Sequence, residues 1–198
     1  MTGGNHAGDF LRLLGNGKEF GLRRINYAYQ EGEGGIAEAL GLAEDFADGD
    51  PICVILGDNI FQTPIREAVK TYLADPEGAM ALLKEVDEPK RFGVAELHEG
   101  RIVGIVEKPS GPKGNLAVTG CYFYDARAFE IVQGLSPSGR GELEITDVNN
   151  HYLAQGTLRH HVVEGWWTDA GTIPSLYHAT QLVAGADEPV LRKPEVGA

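Results

Sequence analysis

Basic residues are in short supply in this 198-residue sequence: 17 lysines and arginines stand against 29 aspartates and glutamates, a formal net charge of −12. So acidic a chain lacks the broad basic face that a nucleic acid polymer or an anionic membrane surface requires, and neither is expected as a partner. A small anionic ligand is still allowed, because it needs only a local cluster of Lys, Arg and backbone N–H groups. Apolar runs long enough to span a bilayer are missing, and so is a charged-then-apolar leader, so a cytoplasmic location is expected. There are only two cysteines, Cys53 and Cys121, with no CxxC spacing and no clustered histidines. Both lie in apolar runs and read as buried thiols of a reducing compartment. Neither phosphate-loop motif, G-x-G-x-x-G or G-x-x-x-x-G-K-[ST], is present. His160-His161 has no further ligand nearby and reads as structural.

What is there points to one domain. The length suits one substantial core, and 27 glycines with 10 prolines are scattered, implying many turns rather than disorder. The apolar run Ile52-Cys53-Val54-Ile55-Leu56, closed by Gly57-Asp58-Asn59, reads as a buried parallel strand delivering Asp58 to its C-terminal end. Hydrophobic spacing predicts helices over 10–14, 36–46, 64–73, 126–133, 145–154 and 173–183. Strands are predicted over 26–30, 79–86, 93–97, 102–107, 116–124 and 157–164, with Glu99-Gly100 as a hairpin turn. Alternating strands and helices interrupted by a hairpin give an α/β fold with a mixed sheet. The domain is expected over 1–184, with an irregular tail over 185–198.

A carboxylate at a strand end commonly holds a divalent metal against phosphate oxygens. Asp169, inside Trp166-Trp167-Thr168-Asp169-Ala170-Gly171-Thr172, is a second candidate of that kind. A turn residue or helix N-cap accounts for Asp58 equally well when it is taken alone. In Glu107-Lys108-Pro109 the proline is expected to hold Lys108 extended. That aims an ammonium suited to a phosphate, while Glu107 could accept from sugar hydroxyls; a solvated pair at a strand end is the alternative. Arg140, in Ser138-Gly139-Arg140-Gly141-Glu142, is either a forked donor for phosphate or an exposed loop residue. Gly34-Gly35 ahead of a helix can bring backbone N–H groups to an anion or a base edge. Trp167 either fills core or lines a sugar pocket beside Asp169.

These residues belong to a longer ordered set. Leu13-Leu14-Gly15-Asn16-Gly17, Gln30 with Gly35-Ile36-Ala37, Leu56-Gly57-Asp58-Asn59, Phe92-Gly93-Val94 and Glu107-Lys108-Pro109 come first. Val118-Thr119-Gly120, Gly139-Arg140-Gly141-Glu142-Leu143-Glu144-Ile145-Thr146-Asp147 and Trp167-Thr168-Asp169-Ala170-Gly171-Thr172 follow. From about Thr2 to Ala184 the chain resembles the sugar-phosphate nucleotidyltransferases, which carry these segments in the same order. The resemblance implies a Rossmann-like nucleotidyltransferase fold with a mixed, mainly parallel sheet. It implies transfer of a nucleotidyl group from a nucleoside triphosphate to a sugar 1-phosphate, releasing pyrophosphate. The nearest branch uses dTTP and glucose 1-phosphate, and a UTP-dependent branch is its closest rival.

Residue by residue, the resemblance implies Mg²⁺ held by Asp58 and Asp169, and a nucleobase read by Gln30 and Gly35. Gly93, Glu107, Val118 and Tyr122 would line the sugar site, and Lys108 and Arg140 would grip the sugar's phosphate. Asp58, Lys108 and Asp169 are thus the expected catalytic set, and a homo-oligomer is compatible with it. One departure stands out. The family's opening strand, its signature G-G-x-G-[ST]-R-L around the triphosphate and a downstream Lys-Pro have no counterpart here. Thr2-Gly3-Gly4-Asn5-His6 looks instead like the loop after the second core strand, so an N-terminally truncated fold with little or no turnover of its own is expected. A non-catalytic sugar-phosphate-binding module and an inactive fragment stay open as alternatives.

Overall fold

The computed structural model describes residues 2–3 and 7–185; of the expected tail, all but Gly185 lies outside the described residues. The first elements are small: β1 (Thr2–Gly3) pairs in parallel with β2 (Tyr29–Gln30), and α1 (Ala7–Leu14) stands between them in sequence. Then come α2 (Ile36–Gly41), α3 (Glu44–Ala47), β3 (Ile52–Ile55), β4 (Asn59–Phe61), α4 (Arg66–Leu73) and β5 (Ala79–Glu85). The hairpin β6 (Gly93–His98) and β7 (Arg101–Glu107) leads to β8 (Leu116–Tyr124), α5 (Arg127–Gln133) and α6 (Ile145–Ala154). The chain continues through β9 (Leu158–Val162) and β10 (Trp167–Asp169) to α7 (Ile173–Ala184).

β8 organises the main sheet. One of its edges is paired by antiparallel β5, and the other is divided between β3, opposite Cys121–Tyr124, and β6, opposite Ala117. β5 also carries β9 in parallel, and β6 pairs antiparallel with β7. β4 and β10 form a separate antiparallel pair. β5 and β8 are apolar on both faces, so each face must be covered by a layer. On one side Leu40 of α2, Phe129 of α5 and Tyr152 of α6 pack on Ala81, Leu83 and Tyr124. On the other, Ala68 and Tyr72 of α4 pack with Trp167 against Met80, Leu82 and Phe123.

The mixed α/β arrangement is as expected, but the sheet is not mainly parallel. Among the described pairings only β1–β2 and β5–β9 are parallel. β3 also differs from its sequence reading, since it runs antiparallel to β8, with Cys53 and Ile55 exposed. A short apolar run records neither the direction of its partner nor what covers its face, so neither property was legible locally. The helix expected over 36–46 is two helices, because Ala43 (φ −97°, ψ 2°) leaves the helical region between them. The strand expected over 26–30 narrows to Tyr29–Gln30, and β4 and β10 were not predicted as strands. The turn at Glu99-Gly100 forms with both residues at positive φ, the conformation a two-residue hairpin favours. Among the described residues no helix is long and apolar enough to cross a membrane.

Candidate functional site

A cleft of about 630 Å³ opens where the ends of β3, β7 and β10 approach the middle of β8. On one wall, Leu56 N–H donates to Gly120 O (2.8 Å) and Asn59 N–H to Leu56 O (3.1 Å), forming the turn that projects Asp58. Asn59 locks that turn. Its Oδ1 accepts from Gly120 N–H and Trp167 Nε1–H, both at 2.8 Å, and its Nδ2 donates to Asp58 Oδ1 at 2.9 Å. A Cβ on Gly120 would stand 2.4 Å from Asn59 Nδ2 and 2.8 Å from Leu56 Cδ1, so the close approach of the turn to β8 requires glycine there.

β10 brings the second carboxylate to the same place. Asp169 pairs with Asn59 in register, and Ala170 N–H donates to Asp58 O at 2.8 Å. A Cβ on Gly171 would lie 2.8 Å from Asp58 Oδ2 and 3.8 Å from Asp169 Oδ2, so both oxygens lie within 4 Å of one point. Thr172 and Ser175 then form a reciprocal capping box that starts α7 and fixes the loop's exit.

A facing wall comes from the β6–β7 hairpin. Glu107 is opposite Gly93 in register, and its Oε2 accepts from Thr146 Oγ1 at 3.1 Å. Lys108 is not extended, contrary to the expectation from Pro109. Its φ is +41°, and its N–H donates to Phe92 O at 3.1 Å, which turns the chain out of β7. The Lys108 ammonium lies 3.8 Å from Glu107 Oε1 and is more than half exposed. Val118 and Tyr122 of β8 also line the cleft. Burial, with Glu107 and other negative groups nearby, raises the Tyr122 phenol above its ordinary range, so it stays neutral.

Arg140 lines the cleft but is not a free cation. It donates to Glu144 Oε1 and Oε2 at 2.9 and 2.8 Å and lies 3.5 Å from Glu142. The hydrogen bond from Arg140 holds the Glu144 carboxyl below its ordinary value, with Ser138 adding a second donor. Gln30 and Gly35 stand off the cleft lining, which begins with their neighbour Ile36. The Gln30 amide nitrogen donates to Gly35 O at 3.0 Å and to Glu38 Oε2 at 2.6 Å. Trp167 lines the cleft and packs on Phe92 with ring centroids 5.1 Å apart.

Two residues that sequence reasoning passed over are built into the site. Asn59 is one, and a side-chain amide next to a strand-end Asp is a usable signal for such a turn lock. Arg91 donates to Asp169 Oδ1 at 3.3 Å while its guanidinium lies over the Phe92 ring. Nothing local in Lys90-Arg91-Phe92 marks that long-range contact. Among the described residues no cluster of three or more His, Cys, Asp or Glu could hold a metal by itself.

The Nucleotidyl transferase family profile matches residues 2–185. The chain is similar to a glucose-1-phosphate thymidylyltransferase of Neisseria meningitidis serogroup A, with 43% identity over 187 residues covering 92% of this chain and 65% of that protein. It is also similar to a crystal structure from Bacillus anthracis, provisionally named a glucose-1-phosphate thymidylyltransferase, in complex with a sucrose. There the TM-score is 0.88 at 50% identity, over 94% of this chain and 76% of that one. A UDP-glucose pyrophosphorylase complexed with UDP-glucose aligns with a TM-score of 0.70 at 25% identity, over 79% of this chain and 64% of that one. The chain spans less than two thirds of the length of the first curated relatives it matches, 65% and 62%. On the profile match and these likenesses, the chain belongs to the nucleotidyl transferase family.

Proposed function

We propose that this site serves nucleotidyl transfer from a nucleoside triphosphate, dTTP first, to a sugar 1-phosphate, glucose 1-phosphate first, in cytoplasmic nucleotide-sugar synthesis. One observation carries the reading: two carboxylates converge across Gly171 on one wall of the cleft, while Lys108 and Glu107 stand on another. The names of the similar proteins support the same chemistry. A phosphate oxygen of the sugar phosphate attacks the α-phosphorus in line, a new P–O bond forms, and the bond to pyrophosphate breaks.

Lys108 offsets charge on the sugar's phosphate. Glu107 accepts from a sugar hydroxyl in place of Thr146, and Gly93, Val118, Tyr122 and Trp167 shape the pocket around the ring. Arg140 joins the phosphate only by leaving Glu144, and Gln30 with Gly35 forms the edge on which the base is read. Mg²⁺ fits the donor set, because it needs only one or two carboxylates and completes its shell with phosphate oxygens and water. When bound, it supplies neutralisation of the charge that builds on the phosphate oxygens.

A second reading, a sugar-phosphate-binding module without turnover, is favoured by the pairing of Arg91 with Asp169, which engages one of the two carboxylates that would hold a metal against a triphosphate. Calorimetry and a coupled pyrophosphate assay separate the two. Glucose 1-phosphate should bind, and Lys108→Ala should weaken it at least about tenfold, or ~1.4 kcal/mol. With dTTP and Mg²⁺, turnover should be slow and should vanish in Asp58→Asn and Asp169→Asn. Replacing dTTP by UTP reports the base preference. No binding of the sugar phosphate, or turnover indifferent to both aspartates, overturns the proposal; binding without any pyrophosphate selects the second reading.

A further inference from the structure

Cys53 and Cys121 lie outside the chemistry described above. On the adjacent antiparallel strands β3 and β8, Cys53 is opposite Phe123 and Cys121 is opposite Ile55. Residues two apart on a strand share a face, so the two cysteines are same-face diagonal neighbours. Their surroundings are opposite: Cys53 is exposed, whereas Cys121 is fully buried beside Met80, Leu82 and Phe123.

The neighbouring Cys121 thiol lowers the Cys53 thiol from its ordinary value, against the opposing effect of partial burial. The neighbouring Cys53 and burial raise Cys121. An exposed thiol beside a shielded one on the same sheet face matches the pairing of an attacking and a resolving thiol. The position adds a second feature. β3 has β8 as its one partner strand among the described residues.

We propose that Cys53 and Cys121 form a thiol–disulfide exchange site for low-molecular-weight disulfides of the glutathione type. The Cys53 thiolate attacks one sulfur of the small disulfide; its S–S bond breaks, one small thiolate leaves, and a mixed disulfide forms on Cys53. Cys121 releases its proton to the departing thiolate, attacks Cys53 Sγ, and displaces the second small thiolate. Two protein thiols are oxidised by two electrons, and the small disulfide is reduced to two thiols. Diagonal neighbours stand about 7–8 Å apart at Cα, and a relaxed disulfide spans roughly 4.4–6.8 Å. The bridge therefore draws β3 toward β8 and is readily reduced, which suits a reversible modification rather than a structural staple. Cys121 adjoins Gly120, whose carbonyl and N–H hold Leu56 and Asn59, so this movement reaches the turn that carries Asp58.

The test is oxidised glutathione on the native protein, followed by intact-mass spectrometry and peptide mapping. Wild type should lose two hydrogens and yield a Cys53–Cys121 linked peptide that dithiothreitol reverses. Cys121→Ala should stop at one glutathionyl adduct. Cys53→Ala should take no adduct while folded and one after unfolding in guanidinium, with circular dichroism checking that each variant folds. A stable mixed adduct on wild type, or modification of folded Cys53→Ala at the wild-type rate, overturns the proposal. Should a variant fail to fold, the wild-type peptide map decides by itself. None of these readouts depends on nucleotidyl transfer, so failure here and failure of the proposed function are separable.

Discussion

Gly171 has no side chain, and the point a Cβ would occupy there lies 2.8 Å from Asp58 Oδ2 and 3.8 Å from Asp169 Oδ2. Gly171→Ala would put a methyl group 2.8 Å from Asp58 Oδ2 and push the carboxylates apart. We expect Mn²⁺ binding, followed by its electron paramagnetic resonance signal, to weaken about tenfold, ~1.4 kcal/mol, with little change in Tm. Unchanged Mn²⁺ affinity would remove this pair from the metal site. Asp58, Asp169 and Lys108 line one cleft, and their places at strand ends were legible because the apolar runs before them are local signals. What each cation touches was not legible. Arg140 reaches Glu144 within its own loop and Arg91 reaches Asp169 from a distant segment, and contacts of that kind depend on loop geometry or tertiary placement.

Among the elements, Asp125 does the most joining. It follows the end of β8, and its carboxylate accepts from Gly78 N–H ahead of β5, from Arg127 at the start of α5 and from Tyr152 of α6. Burial alone would raise its pKa, but the hydrogen bonds from Arg127, Tyr152 and Gly78 outweigh that and leave it lowered. A lowered folded-state pKa means the stabilisation is complete above the unfolded value, about 4, and is lost as pH falls through the folded one. Urea midpoints of the wild type should therefore drop below about pH 4. Asp125→Asn should be less stable by about 1–3 kcal/mol at neutral pH and vary less in that acid range. A gap between the two proteins that is constant from neutral to acid pH would contradict this. The helices and strands of this region were legible nearly to the residue, because 116–124 and 145–154 are long and strongly patterned. Elements of three or four residues, such as β4 and α3, carry too little periodicity to be read before their partners are known.

At the scale of the whole molecule, charge and topology act separately. The net charge of −12 sets a repulsive background for any polyanion, and the cations of the cleft are few and mostly paired. Duplex DNA should show no mobility shift with this protein even at low salt, where such contacts are strongest; a shift that salt abolishes would mean the charge argument is wrong. The α/β class, the order of the longer elements and the hairpin insert could be read in advance, since each follows from pattern along the chain. The mostly antiparallel pairing could not, because direction is a relation between strands.

That relation has a consequence for how the chain acquires its shape. β8 takes its neighbours from β3, β5 and β6, and Tyr124 finds Ile52 on one side and Ala79 on the other. None of those bonds closes a short loop except through the hairpin, so the search for β8 carries most of the entropy of ordering. The hairpin can zip early and locally. The rest of the sheet has to wait until β8 arrives, which makes its docking the slow event of folding and its amides the last to exchange with solvent.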